Sequence, residues 1–474
     1  MATSKILFGE WLPDQPGVAG AVTDAVNCYP VSNGYAPFQS EYELSDAAGA
    51  NLIIAFASKF AGVSTLFGAS STNLYKYASG DRDLDPLTTT GYLNVEYWDT
   101  TQFGSKVIVA NNVTKLQSYQ LAGGTAFVDL AAAAPEAKYV TVVRDFVVAA
   151  NVTTYENKVY WSDINDETNW TPSSTSQSDT QVMPDGGDIT GLAGGEFGLV
   201  FMETAIYRMS YVGSPLFFQF DAISKGLGCI SPGSIAQFNG LTYFLADDGF
   251  YVCDGQSAKS ISQEKMDRWF FNDASRGDLK SSVSSAVDPI KRLIVWLYKT
   301  QSGVNRLVVY SIGLAKWTYC ETTATSVASL LTPSVTLDDL DTYSSSIDAL
   351  TVSLDDPQWV GNQLLFAGTS GQKIITFGGA AKQASISTGD IDSGRSVVTL
   401  ARPVVDNGSG SVSVASRDLL SGSVTYGTAV AADTEGRCGL RSAGRYHRIK
   451  TVASGDNWST LVGVNVDIQG QGSR

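Results

Sequence analysis

A short strand-like motif recurs along most of this chain at nearly constant spacing. Each copy has an apolar residue with aromatic or β-branched neighbours, followed by a turn of small or polar residues. The intervals between successive copies are 42, 43, 47, 44, 57 and 67 residues. Four strands of about six residues with short turns need roughly 40 residues. The spacing therefore predicts repeated four-stranded units, with the motif as the last strand of each. The first apolar residues of the copies are Leu74, Leu116, Val159, Ile206, Phe250, Leu307 and Ile374.

The turns between these runs favour antiparallel hairpins. In residues 191–255, short apolar runs are broken by Asn239-Gly240 and Asp248-Gly249, which are typical hairpin turns. Radial repetition of such units is the signature of a β-propeller. A β-sandwich with coincidental spacing is the alternative, because the motif is degenerate. Since four successive intervals agree within five residues, we predict an all-β fold with a six- or seven-bladed β-propeller over residues 51–380.

Several segments depart from the repeat. Residues 1–50 are predicted to be an irregular N-terminal segment, and its isolated aromatics such as Trp11 would dock on the body or on a neighbouring subunit. The long intervals predict insertions at 261–282, where an amphipathic helix is expected, and at 321–362, which is rich in Asp. Plain alternation in residues 381–474 predicts a separate C-terminal β-sandwich-like module.

Composition excludes several classes of function. The chain of 474 residues has 32 Lys and Arg against 47 Asp and Glu, a formal net charge of −15, which argues against a protein that neutralises nucleic-acid phosphates. Five dispersed cysteines and the single His447 do not form a metal site, a disulfide framework or a catalytic triad. A glycosidase needs two apposed carboxylates, which sequence cannot pair across a propeller. We therefore predict no catalytic, cofactor-binding or metal-ligating residues.

The sequence also bears on location and on charge clusters. No apolar run is long enough to span a membrane, and the first residues lack a signal-peptide pattern. We therefore expect that the chain does not insert into a membrane and that it is made in a cytoplasm. The basic residues cluster once, as Arg441, Arg445, Arg448 and Lys450 around His447. This cluster is either an anion-facing stripe or, as we favour, a solvated strand face.

Three groups of segments resemble the tail nozzle, or packaged-DNA stabilisation protein, of short-tailed (podovirus-like) bacteriophages. The resemblance covers most of residues 50–470, and it rests on structural sequence motifs, not on catalytic ones. It implies a protein that is not an enzyme: a structural part of the virion tail, forming a hexameric ring that continues the DNA channel below the head–tail adaptor, retains packaged DNA and supports its ejection. The segments are 137–147 with 158–162 and 165–172; 194–198 with 205–215, 218–220 and 247–254; and 442–448.

The same resemblance implies the partners. They are a homo-hexamer of this chain, the head–tail adaptor, a tailspike or tail fibre, and a distal plug or needle. Double-stranded DNA would pass transiently without specific binding, no cofactor is implied, and the chain would reach the virion after assembly in the host cytoplasm. Segments that break the repeat are expected to make the contacts, which selects Trp11, Asp338, Asp339, Trp359, Arg445 and Arg448. The alternative is a phage-encoded β-propeller that binds glycans or acts as a glycosidase.

Overall fold

The computed structural model describes residues 2–15, 20–87, 91–336, 338–344, 346–350 and 352–471. The N-terminal 50 residues are not irregular, because they contribute five strands to the fold. Short runs of alternating burial, as in Cys28–Val31, explain why these segments pair with larger sheets instead of folding alone. The strands are β1 Ala2–Leu7, β2 Val22–Val26, β3 Cys28–Val31, β4 Gly34–Pro37 and β5 Tyr42–Glu43.

Five antiparallel four-stranded sheets follow, which we number blades 1 to 5. Blade 1 is β6 Leu52–Phe60, β7 Val63–Ser70, β8 Leu74–Tyr77 and β9 Leu84–Pro86; blade 2 is β10 Asp99–Phe103, β11 Lys106–Ala110, β12 Gln117–Gln120 and β13 Val128–Asp129; blade 3 is β14 Ala137–Val143, β15 Phe146–Val152, β16 Tyr155–Trp161 and β17 Asp179–Val182; blade 4 is β18 Ile189–Ala193, β19 Gly198–Met202, β20 Ala205–Gly213 and β21 Phe217–Lys225; blade 5 is β22 Ala236–Phe238, β23 Leu241–Leu245, β24 Phe250–Cys253 and β25 Ala258–Ser260.

Two further blades complete the propeller. A 3-10 turn, Pro232–Ser234, precedes blade 5, and two helices, α1 Asp267–Asp273 and α2 Leu279–Ser282, precede blade 6. Blade 6 is β26 Ser284–Asp288, β27 Leu293–Lys299, β28 Asn305–Ser311 and β29 Lys316–Glu321; blade 7 is β30 Ser326–Leu331, β31 Leu364–Ser370, β32 Lys373–Thr376 and the N-terminal β5. The all-β propeller predicted from the sequence is confirmed, with seven blades.

The recurring motif lies on the third strand of every blade, or immediately before it. Leu74 begins β8, Ile206 lies in β20 and Ile374 lies in β32. The prediction that it marks the last strand is wrong. Several fourth strands are short and exposed, as in Val128–Asp129 and Asp179–Val182, so they lack the buried apolar pattern that made the third strands visible in the sequence.

Blade 7 is closed by strands from opposite parts of the chain. β5 pairs antiparallel with β32, Tyr42 opposite Thr376 and Glu43 opposite Ile375. Leu44, which follows β5, is buried, and its N–H donates to the Ile374 carbonyl at 2.9 Å. The N-terminal segment therefore closes the ring of blades.

The C-terminal residues form β-structure that is continuous with blade 6. β2 pairs with β29 and with β33, and from there the sheet runs on to the C-terminal strands, 14 strands in all among the described residues. The expected separate module is thus joined to the propeller through an N-terminal strand, which sequence alternation could not reveal. Its strands are β33 Ala384–Thr388, β34 Ile391–Asp406, β35 Ser409–Arg417, β36 Val430–Ala431, β37 Cys438–Ser454 and β38 Thr460–Gly470.

The two insertions differ in how well the sequence located them. Residues 261–282 hold α1 and α2, and α1 buries Phe270 in the largest core. The second insertion begins later than the predicted 321–362, because β30 is the first strand of blade 7. We call residues 332–363 the insertion loop; it contains 3-10 turns at Asp339–Thr342 and Ile347–Ala349 and the helix α3 Pro357–Val360. None of the helices in the described ranges has the length and apolar character to cross a membrane.

Candidate functional site

The first strands of all seven blades surround a central channel of about 470 Å³. Because a blade begins at its innermost strand, the channel wall is built from one short segment per blade. Hydroxyl, amide and carboxyl side chains make most of this wall polar. One residue from each blade, in order, is Ile54, Asp99, Thr141, Leu192, Gln237, Ser285 and Ala328.

Polar side chains of the channel join neighbouring blades to one another. Five of them bond to a backbone group of the next or preceding blade, and these bonds join blade 2 to blade 3 and blades 4 to 7 in series. The bonds are Asp99 Oδ2 from Val140 N at 2.9 Å, Gln237 Nε2 to Gly194 O at 2.9 Å, Ser285 Oγ to Ile235 O at 3.2 Å, Ser284 Oγ from Val327 N at 2.9 Å, and Ser329 Oγ from Val287 N at 2.8 Å.

Asp99 is the most perturbed acid of the channel. One carboxylate oxygen accepts from its neighbour Thr100 N at 2.9 Å and the other from Val140 N at 2.9 Å. Burial raises the pKa of Asp99 to about 7 although both hydrogen bonds favour the charged form. The described lining includes no Lys, Arg or His, and Glu96 is its second acid. Asp99 is thus a carboxylate without a counter-ion whose oxygens are used to join blades 2 and 3.

Two arginines of the basic cluster on β37, Arg445 and Arg448, form ion pairs with aspartates immediately before β34 and in its first residues. Arg448 and Arg417 both donate to Asp390, at 2.8 and 2.6 Å, and Arg445 donates to Asp392 at 3.1 Å. Burial opposes the charge of Asp390, but the hydrogen bonds from both arginines outweigh it and hold its pKa below the usual range. We call these five side chains the Arg–Asp cluster. All of its members except Arg445 line a surface groove of about 600 Å³.

His447 lies next to Arg448 on the same strand and is fully buried. Its Nδ1 is 2.7 Å from Ser416 Oγ and its Nε2 is 2.9 Å from Ser396 Oγ. Burial lowers its pKa, so the neutral ring is favoured. The only histidine is therefore closed between two serines of β34 and β35, away from solvent.

Two of the predicted partner-binding residues are core residues, which corrects their assignment. Trp11 is 0% exposed, with its ring centroid 4.8 Å from that of Trp269 on α1 and 5.5 Å from that of Tyr319. Trp359 is buried within the insertion loop, where Nε1 donates to Ser353 O at 2.8 Å. A lone aromatic in a polar segment here anchors that segment to its own chain.

The other four predicted residues reach the surface to different degrees. Asp338 is exposed at the tip of the insertion loop, and Asp339 accepts from Thr336 N at 3.1 Å. The side chain of Arg445 is 54% exposed, whereas that of Arg448 is 21% exposed. The structure places the insertion loop beside blade 1, since Arg82 donates to Thr342 O at 3.3 Å. It does not bring the two aspartates to the Arg–Asp cluster in any recorded contact.

A second polar cavity was missed by sequence reasoning. It has about 240 Å³ and lies at the boundary of blades 6 and 7, lined by residues of five separated segments. Lys291, Asp288, Asp356 and Gln358 form its polar side. No spacing signal could have united positions so far apart in the chain, although Asp288 and Lys291 flank one hairpin turn.

Comparisons with known proteins add little beyond architecture. No protein-family model matches the chain, and no curated protein matches it either. Among solved structures, the crystal structure of RRP9 WD40 repeats is similar at 10% identity and a TM-score of 0.40, over 62% of this chain and 88% of that one. The N-terminal domain of Nup159 is similar at 11% identity and a TM-score of 0.39, over 75% of this chain and 98% of that one. Similarity at this level carries no argument about function.

Proposed function

We propose that this chain is the tail nozzle of a short-tailed bacteriophage, a structural virion protein without enzymatic activity. The observation that carries the proposal is the position of the residues on which the family resemblance rests. Segments 137–172 belong to blade 3, segments 194–220 to blade 4 and segment 247–254 to blade 5. Buried members such as Trp161, Tyr207 and Phe218 build the cores of these blades. The resemblance therefore concerns residues that build the fold of three consecutive blades.

One of these segments also joins blades. In residues 165–172, Trp170 is buried and its Nε1 donates to Glu167 O at 2.7 Å. The carboxylate of Glu167 in turn forms an ion pair with Lys106 of blade 2 at 2.7 Å. Residues 165–172, on which part of the resemblance rests, therefore link blade 3 to blade 2. Such a link stiffens the propeller, as expected for a structural component of a DNA channel.

In the proposed ring, DNA passes between copies and not through a propeller. A channel of about 470 Å³ spread over a five-residue strand of about 16 Å has a mean cross-section of roughly 30 Å². The major groove of a duplex alone is about 12 Å wide. The lumen of the nozzle is therefore formed by outer surfaces of six copies.

The acidity of the chain suits a lumen through which DNA slides. Each copy has a formal net charge of −15, so six copies carry −90. Phosphate contacts release counterions and add affinity, which would slow ejection. The Arg–Asp cluster fits this arrangement, because its arginines are already paired with aspartates and offer little free positive charge. It would face a protein neighbour or solvent.

The experiment that tests the proposal removes the chain from the phage that encodes it. We expect particles without it to package DNA and then lose it, and purified protein to restore retention by binding to adaptor-completed heads. A glycan-binding protein or glycosidase would instead bind or cleave host glycans as an isolated monomer. DNA retention by particles that lack this chain would contradict the proposal, and cleavage of host glycans by the isolated monomer would favour the alternative.

A further inference from the structure

The small cavity at the boundary of blades 6 and 7 is a built polar site. Its volume is about 240 Å³. Lys291 and Asp288 come from the turn between β26 and β27, Asp356 and Gln358 from the end of the insertion loop, and Gln39 from the segment after β4. Five parts of the chain meet there only because the N-terminal segment and the insertion loop both pack on blade 7.

A cation and two carboxylates face this cavity without touching one another. Lys291 Nζ donates to Gln39 Oε1 at 3.1 Å and lies over the Tyr29 ring at 5.5 Å. No ion pair within 4.0 Å joins it to Asp288 or Asp356, both within the described chain. Burial lowers the pKa of Lys291, while the two carboxylates oppose the shift; burial also raises the pKa of Asp356. These charges are desolvated and only partly compensated.

Gln358 adds an unmatched donor. The residue is 0% exposed, and its Oε1 accepts from Thr376 Oγ1 at 2.8 Å. Its Nε2 has no hydrogen-bond partner among the described residues, so a buried amide donor stays unsatisfied unless a ligand accepts from it. The remaining oxygens of Asp288 and Asp356 are acceptors, since one oxygen of each already binds backbone N–H groups.

Apolar side chains complete the lining of the cavity. They are Ile290, Leu365, Phe366 and Phe377, and the rings of the two phenylalanines are stacked with centroids 4.2 Å apart. The cavity therefore combines hydrocarbon with donors and acceptors that lack a full set of partners. A hydroxyl is the group that both accepts from Lys291 or Gln358 and donates to a carboxylate. A pyranose ring carries adjacent hydroxyls on its edge and C–H groups on its face.

We propose that this cavity binds one monosaccharide-sized polyhydroxylated ligand, with its hydroxyls on Lys291, Asp288, Asp356 and Gln358 and its C–H groups against the apolar part of the lining. The site is independent of the nozzle proposal, because it depends only on contacts within one chain. The volume is below the usual range for drug-sized ligands, which limits the ligand to about one ring.

The test titrates the full-length chain with free glucose, galactose, N-acetylglucosamine and glycerol, followed by ligand-observed NMR and calorimetry. Glycine and acetate serve as zwitterion and carboxylate probes. We expect saturable binding of at least one sugar at roughly millimolar affinity. Lys291→Met and Gln358→Leu should each weaken it about ten-fold or more, because each removes a buried polar contact. Lys259→Met, at an exposed position on β25, is the matched control and should leave binding unchanged.

A third variant guards against misfolding of the first two. A Cβ added at Gly378 would lie 3.3 Å from Gln358 Oε1 and 3.5 Å from Asp356 Oδ2, so Gly378→Ala narrows the cavity without removing a charge. It should retain the unfolding temperature within a few degrees and still weaken sugar binding. Binding that survives all three variants would place the ligand elsewhere and overturn the proposal. So would a preference for glycine or acetate, or no saturation by any sugar at tens of millimolar.

Discussion

At the scale of single residues, the polar groups that stand out in this chain act on their own fold. Asp99 joins blades 2 and 3, and its pKa of about 7 gives a testable pH dependence. Because the folded state holds a proton that the unfolded chain releases near its ordinary carboxyl pKa, this stabilisation is complete at low pH and lost as pH rises through about 7. Between pH 8 and pH 6, stability should therefore rise by about 1.4 kcal/mol from this group.

Urea unfolding at both pH values measures this contribution. In Asp99→Asn the increment between pH 8 and pH 6 should disappear, while the exposed control Asp348→Asn should keep it. The difference between the variants isolates Asp99 from other titrating groups such as Asp267, whose pKa burial raises to about 6. An unchanged pH profile in Asp99→Asn would mean that Asp99 is an ordinary, solvated carboxylate.

The Arg–Asp cluster supplies a matched pair of arginines. Arg448→Ala leaves the mostly buried Asp390, whose side chain is 16% exposed, with one partner fewer, and we expect a loss of about 1–3 kcal/mol in unfolding free energy. Arg445→Ala breaks a pair that is 54% and 47% exposed, so it should change stability by less than about 0.5 kcal/mol. Chemical denaturation midpoints at neutral pH compare the two, and equal losses would contradict the assigned roles.

At the same scale, sequence could identify anchors but not their partners. The sequence predicts Trp11 and Trp359 as partner-binding residues, yet each is buried against its own chain, on a surface formed by distant segments. Asp390 and Asp392 were not linked to the basic cluster, because the pairing requires β34 to lie beside β37. The polar cavity likewise joins positions 39, 288, 291, 356 and 358, which share no periodicity.

At the scale of elements, the repeat period was readable because third strands are buried and aromatic. Several outer strands were not readable, since they are short and exposed, as in β17. The outer strand of blade 7, β5, pairs with β32 across more than 300 residues of sequence. β30 lies within residues 321–362, which the sequence predicts to be an insertion. The repeated pattern of buried strands thus predicted the propeller. The pairing that closes its last blade is between distant parts of the chain, so the sequence pattern could not predict it.

The insertion loop allows a prediction at this scale. Thr332 N–H donates to Gln363 O at 3.0 Å and Asn362 N–H to Thr332 O at 2.7 Å, and a Cβ at Gly361 would touch Ser334. The two ends of the loop are therefore adjacent. Replacing residues 335–360 by a two-residue turn should leave the propeller folded, with a cooperative thermal transition and a β-type circular dichroism spectrum.

A longer deletion is the matched comparison. Removal of residues 325–360 also removes β30, the innermost strand of blade 7, and it should abolish cooperative unfolding because the ring of blades is opened. Under the proposed function, the shorter deletion yields a folded monomer that no longer joins the tail. Infectious particles assembled with the shortened loop would show that this loop makes no essential assembly contact.

At the scale of the whole molecule, the net charge of −15 per chain governs the encounter with DNA. Assembled tails should show no appreciable binding to duplex DNA at about 0.15 M salt, where exposed charges are screened beyond roughly 8 Å. Filter binding or fluorescence anisotropy over a salt series provides the measurement, with a DNA-binding protein of known salt slope as control. Tight binding that weakens steeply with added salt would contradict a sliding channel.

The most direct test of the central claim is a cryo-electron microscopy reconstruction of virions that contain this chain. We expect six copies of a seven-bladed body around the tail axis, below the head–tail adaptor, with DNA density in the lumen between copies and none inside the propeller channels. Density for this chain outside the tail axis, or its absence from the tail, would contradict the proposed nozzle.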